Sequence, residues 1–187
     1  MRAWPLAVPL VLVLLLTGCT PAPVVRDALF VPLELLVWTA RGRVALFAEG
    51  EGWHAGFEWR QQGEDLTLTL SGPFGQGALR LLQVQGRVRL IDGQGAVREA
   101  ESAESLVAGA TGVALPVSGL RYWLLGRPAP DRPHRWLEGE AWPRLEQDGW
   151  TIDYRALADV GGHRLPTRIR LTRPGMKLKL VIDAWDV

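Results

Sequence analysis

From Trp38 to Trp185, apolar and polar side chains alternate along most of the chain, and no other feature limits its possible folds so strongly. A period of two places successive side chains on opposite faces of a strand. The last such run is the clearest. Met176, Leu178, Leu180 and Ile182 share one face, while Lys177 and Lys179 share the other. A strand of that kind belongs in an antiparallel sheet with one wet face and one buried face. Arg41–Phe47, Trp53–Trp59, Leu66–Leu70, Ala78–Val84, Arg87–Ile91 and Ala96–Ala100 read as strands, and Arg135–Glu140, Pro143–Gln147, Trp150–Arg155, Leu165–Thr172 and Met176–Trp185 continue the series. Gly63-Glu-Asp65 and Asp92-Gly93 supply turn chemistry for tight antiparallel connections.

Helices interrupt the series in the middle. Ser102 is a capping residue ahead of Leu106 and Val107, with Gly109 as the expected stop. Ser118–Leu125 puts Leu120, Trp123 and Leu124 on one face and ends at Gly126, before Pro128. A further helix is suggested over Arg26–Val37 by Leu29, Leu33 and Leu36, against which Pro32 argues for a break. About ten strands with two or three helices describe an α+β chain built on one strongly curved antiparallel sheet. Its apolar face needs a cover, and the two central helices are the natural one. Pattern alone leaves open whether that cover closes on a packed core or on a cavity.

Ahead of this domain stands Arg2, an apolar run from Leu6 to Leu16, and Leu16-Thr-Gly-Cys19, a lipobox. The pattern predicts a signal peptide over 1–18, cleavage before Cys19, a lipid on its thiol, a tether over 19–25 and a domain over 26–187. Acyl chains, not a spanning helix, then hold the protein to its membrane. Cys19 is the only cysteine, so no disulfide forms. Of 187 residues, cleavage leaves 169, enough for one real core. Arg2 is the one charge removed, so 21 basic against 20 acidic residues become 20 against 20. A balanced chain has no net field for nucleic acid.

An enzyme has little to work with here. His54, His134 and His163 are scattered, and none of the mature chain's serines lies in a Gly-x-Ser-x-Gly elbow. Glu138 and Glu140 share a strand face, but alternating charges there describe a solvated surface. No cofactor or metal is expected, and binding is the better reading.

Several segments together resemble the LolB family of outer-membrane lipoprotein receptors. They are Gly42-Arg-Val-Ala-Leu46, Phe57-Glu-Trp59, Ser71-Gly-Pro-Phe-Gly75, Leu115–Pro128, Gly149-Trp-Thr-Ile-Asp-Tyr154, Leu165-Pro166 and Lys177–Trp185. The resemblance implies an incomplete antiparallel β-barrel of about ten or eleven strands, with helices covering an apolar cavity. It also implies a monomer on the periplasmic face of the outer membrane that accepts lipoproteins from the carrier LolA by their acyl chains and inserts them into the membrane. Thr20, in place of the Asp that retains many lipoproteins at the inner membrane, is consistent with that address.

The inward period gives candidates for the lining: Phe57, Trp59, Leu66, Leu68, Leu70, Leu79 and Leu81 from the strands, Trp123 and Leu124 from the lid. Phe74 stands alone on a turn of small residues, where an apolar side chain gains folding little. In the family this tip carries an aliphatic residue tied to membrane delivery. Arg168, Arg170, Lys177 and Lys179 offer a charged docking face, although exposed strands are commonly basic. A lipid or peptide sensor, or a structural scaffold of the same fold, remains the alternative.

Overall fold

The computed structural model describes residues 35–48, 50–72, 78–137 and 143–187. Its strands are β1 (Val37–Ala48), β2 (Glu51–Gln62), β3 (Asp65–Ser71), β4 (Leu79–Val84), β5 (Arg87–Ile91) and β6 (Val97–Ala100). Two helices follow, α1 (Ala103–Thr111) and α2 (Val117–Trp123). The chain ends with β7 (His134–Leu137), β8 (Arg144–Gln147), β9 (Trp150–Val160), β10 (His163–Arg173) and β11 (Met176–Asp186).

All eleven strands form one antiparallel sheet in the order β6-β5-β4-β3-β2-β1-β11-β10-β9-β8-β7. The chain enters at the centre, meanders to one edge, crosses through the helices to the other edge and meanders back. β1 and β11 close the two halves together, while β6 and β7 stay unpaired with each other. The sheet is an incomplete barrel, and α1 and α2 occupy the crossover between its edges.

Alternation sets the inner face. Val44 and Leu46 of β1, Phe57 and Trp59 of β2, Leu66 and Leu68 of β3, and Leu178, Leu180 and Ile182 of β11 are all buried. Trp38 stacks on Trp59 with ring centres 6.0 Å apart and meets Trp185 at 5.5 Å, filling one end of the barrel with aromatic surface. Where β1 meets β11 the register shifts at Arg41/Gly42, and a Cβ on Gly42 would lie 2.0 Å from the Val181 carbonyl oxygen. Only glycine permits that approach.

Several boundaries differ from expectation, four of them with consequences for the packing. Val37 opens β1 instead of ending a helix, and residues 26–34 lie outside the described segments. α1 passes through Gly109, which is exposed, and stops at Gly112, whose φ of 74° supplies the left-handed cap; its N–H donates to Ala108 O at 2.8 Å. The start is as expected, with Ser102 Oγ accepting from Ser105 N at 3.2 Å. α2 begins at Val117 and ends at Trp123, so Leu124 caps it and the turn reaches Gly126. β9 runs on to Val160, well past Arg155.

Candidate functional site

Between the helices and the inner face of the sheet lies a seam lined only by apolar side chains. The sheet contributes Val44, Trp53, Phe57, Trp59, Leu68, Leu70, Leu178 and Leu180. The helical crossover contributes Val107, Leu115, Val117, Leu120 and Leu124. The free space enclosed is about 40 Å³. A second pocket of about 10 Å³ lies between Leu68, Leu70, Leu79, Leu81, Leu90 and Val107. A dry cavity that admits benzene measures roughly 150 Å³. The seam is therefore too narrow, as it stands, to hold a ligand of that size.

Of the nine expected lining residues, Phe57, Trp59, Leu68, Leu70 and Leu124 face this seam, and Leu79 and Leu81 face its smaller neighbour. The other two point elsewhere. Leu66 lines a separate polar groove, since its place at the start of β3 puts it beyond the seam's end. Trp123 is fully buried but outside the seam, turned toward β8 by a hydrogen bond from its Nε1 to Gln147 Oε1 at 2.8 Å. The lining residues not foreseen on β1 and β11 (Val44, Leu178 and Leu180) follow the same inward alternation. Extending that parity across the β1–β11 pair would have found them.

The indole N–H groups of Trp59 and Trp123 are satisfied away from the seam. Trp59 Nε1 donates to Gln61 Oε1 at 3.0 Å, and Gln61 Nε2 donates to the carbonyls of Gly63 and Asp65. Gln61 and Gln147 are the buried polar side chains of the described residues, and each holds an indole N–H. An unpaired buried donor would cost roughly 1–3 kcal/mol. Two buried side-chain atoms lack a partner among the described residues, Arg127 Nε and Tyr154 Oη, and neither belongs to a seam residue. Burial pushes the Tyr154 phenol well above its usual range, so it stays neutral.

Beside the Trp123–Gln147 bond, polar contacts tie α2 to the β2–β3 turn and to α1. Arg121 of α2 donates through Nη1 to Glu64 Oε2 at 2.9 Å and through Nη2 to Glu64 Oε1 and Gly63 O, both at 3.1 Å. The hydrogen bond from Arg121, reinforced by its charge, holds the Glu64 carboxyl below the usual carboxylate range. Glu104 of α1 accepts from the backbone N–H of Ser118 at 2.8 Å, joining the two helices. On the outer face, Arg168, Lys177 and Lys179 are exposed and Arg170 is half-buried.

Cys19, Phe74, Glu138 and Glu140 lie outside the described residues. Among those described, no cluster of His, Cys, Asp and Glu could hold a metal, and no helix is long and apolar enough to cross a membrane.

Residues 37–185 match the family model described as outer membrane lipoprotein LolB. The outer-membrane lipoprotein LolB of Halorhodospira halophila is 41% identical over 156 residues, covering 82% of this chain and 77% of its own length. That of Nitrosococcus oceani is 35% identical over 195 aligned residues, 97% of each chain. Among solved structures, a LolA superfamily protein from Nitrosomonas europaea has a TM-score of 0.54 at 10% identity, covering 86% of this chain and 90% of its own. A DUF1329 family protein from Desulfovibrio piger has a TM-score of 0.55 at 9% identity, covering 80% and 85% respectively. These two share the fold alone.

Proposed function

Because the chain belongs to the LolB family of outer-membrane lipoproteins, we propose that it accepts lipoproteins from the carrier LolA by their acyl chains and inserts them into the outer membrane. The need is thermodynamic. Each methylene moved out of water is worth about 0.8 kcal/mol, so a long acyl chain left exposed costs on the order of 10 kcal/mol. A protein seam that removes most of this cost, but less than a bilayer does, lets a client move downhill without chemistry.

The observation that carries this reading is a seam walled entirely by apolar side chains, set between a sheet and two helices attached to it by few polar contacts. Separation of the helices exposes greasy surface on both sides, which an acyl chain covers. Cys19 carries the anchor that keeps the domain at the membrane, and the loop bearing Phe74 hands the chains on.

The test is transfer of a labelled lipoprotein from LolA to the full-length protein in liposomes, followed by its arrival in the bilayer. Failure of label to leave LolA sinks the proposal. The small enclosed volume favours one other reading, a structural lipoprotein with a solid interior. Uptake of a fluorescent fatty acid separates the two, since a solid interior takes none.

A further inference from the structure

A second opening lies beside α2, and its chemistry is different. It encloses about 280 Å³ between the β2–β3 turn, β4, α2 and the segment that follows α2. Val117 belongs to the walls of both this groove and the apolar seam, so the two spaces are neighbours across one side chain. Leu66 and Ala129 give the groove an apolar floor, while Gln83, Ser118, Arg121 and Arg132 give it hydrogen-bond donors.

Resting on the acyl-chain reading above, we infer that this groove receives the head of the client's acylated cysteine, where glyceryl ester and amide carbonyls join the chains. Those carbonyls accept hydrogen bonds and carry no charge. The groove matches on both counts. Both its arginines are already paired, Arg121 with Glu64 and Arg132 with Asp148 at 2.8 Å, so it presents donors without net positive charge. A groove built for a phosphate would leave its guanidinium groups uncompensated. Among the described residues, the Gln83 side-chain amide and Ser118 Oγ have no protein hydrogen-bond partner, which leaves both free to donate. Chains threaded past Val117 into the opened seam would leave the head in the groove and the client's polypeptide at its mouth.

The experiment uses full-length protein in a steroid detergent, which has no acyl chain to compete. Quenching of core tryptophan fluorescence reports binding of two probes with the same brominated chain, a brominated palmitate and a triacylated cysteinyl peptide. The Gln83→Leu/Ser118→Ala double variant should weaken the peptide about tenfold and leave palmitate within about twofold. Thermal unfolding of the variant at the wild-type temperature confirms its fold. Equal loss of both probes, or loss of neither, overturns the assignment. So does tighter binding of brominated phosphatidylglycerol than of the peptide, which would make the groove an anion site. If palmitate fails to quench the wild-type protein, the acyl-chain reading falls, and the head-group site falls with it.

Discussion

Trp123 Nε1 donates to Gln147 Oε1 at 2.8 Å, tying the end of α2 to β8 across the side where the barrel is incomplete. The same oxygen accepts from Ala129 N at 2.7 Å, and Gln147 Nε2 donates to Ala129 O and Arg132 O at 2.9 and 3.3 Å. One buried glutamine thus fastens both α2 and the segment leading away from it. Under the proposed function, this fastening sets how readily the seam opens. Gln147→Leu keeps the volume but orphans the indole and Ala129 N–H groups. The expected loss of stability is about 1–3 kcal/mol, seen as a lower urea midpoint with unchanged slope. Fatty-acid uptake should accelerate, and an unchanged uptake rate would remove Gln147 from the opening step.

Gly119 is the companion of that contact. A Cβ at this position would stand 2.7 Å from two atoms of the Trp123 ring, inside any permitted distance. Gly119→Ala should push the indole off Gln147 and destabilise the domain by about 1–3 kcal/mol through overpacking. Combined with Gln147→Leu, the two losses should be less than additive, because both break one contact. A double-mutant cycle in urea measures this, and full additivity would mean that the ring stays in place.

The sheet was legible because alternation is a local property: Lys177 and Lys179 mark the wet face of β11 whatever lies across from them. Gly109 and Gly112 show where such reading stops. Both are glycines near the end of one helix, and only the second adopts the left-handed conformation that caps it. Leu66 has the inward parity of its strand and Trp123 lies on the apolar face of its helix, yet both miss the seam, because a face is not a position along the barrel. Trp123 and Gln147 are 24 residues apart, and nothing in either segment announces their bond. Cavity volume is the sum of many such placements, so it was the least accessible quantity of all.

The Arg121–Glu64 pair gives the contact between α2 and the β2–β3 turn a pH dependence of known sign. Glu64 has a depressed folded-state pKa, so its contribution is present above the ordinary carboxylate pKa and lost as pH falls through the folded value. Because the Glu64 side chain is 82% exposed, screening keeps the effect small. Uptake of a fluorescent fatty-acid methyl ester, which has no carboxyl of its own, should be flat from neutral pH down to the ordinary carboxylate range and rise as pH falls below it. Glu64→Gln should abolish the rise, while the bond from Arg121 to Gly63 O persists in both. A rise of equal size in the variant would assign the dependence to another group.

Under the proposed function, Phe74 is the residue whose substitution should separate uptake from delivery. Under the proposed function its apolar side chain enters the bilayer when chains are handed over, which a carboxylate at that position opposes. Phe74→Glu should leave fatty-acid uptake and thermal stability at wild-type values and reduce release of a labelled lipoprotein into liposomes at least about tenfold, the equivalent of 1.4 kcal/mol. Delivery at the normal rate would show that the loop has no part in insertion.

Val44 lines the seam from β1, and one added methyl group at that position occupies part of its 40 Å³. Val44→Ile should stabilise the closed domain by about 0.5–1.5 kcal/mol, the reverse of the usual cost of Ile→Val. In a carrier, the ligand binds only the fraction of molecules that open, so stabilising the closed form weakens apparent affinity by the same factor. Urea denaturation and fatty-acid titration should therefore move in opposite directions. A stability gain of 1.4 kcal/mol would accompany about a tenfold weaker apparent affinity. In a solid scaffold the same substitution raises stability with no affinity to lower. The paired measurement thus distinguishes a seam that opens from a core that does not, and a rise in stability with unchanged fatty-acid affinity would refute the coupling between closure and binding.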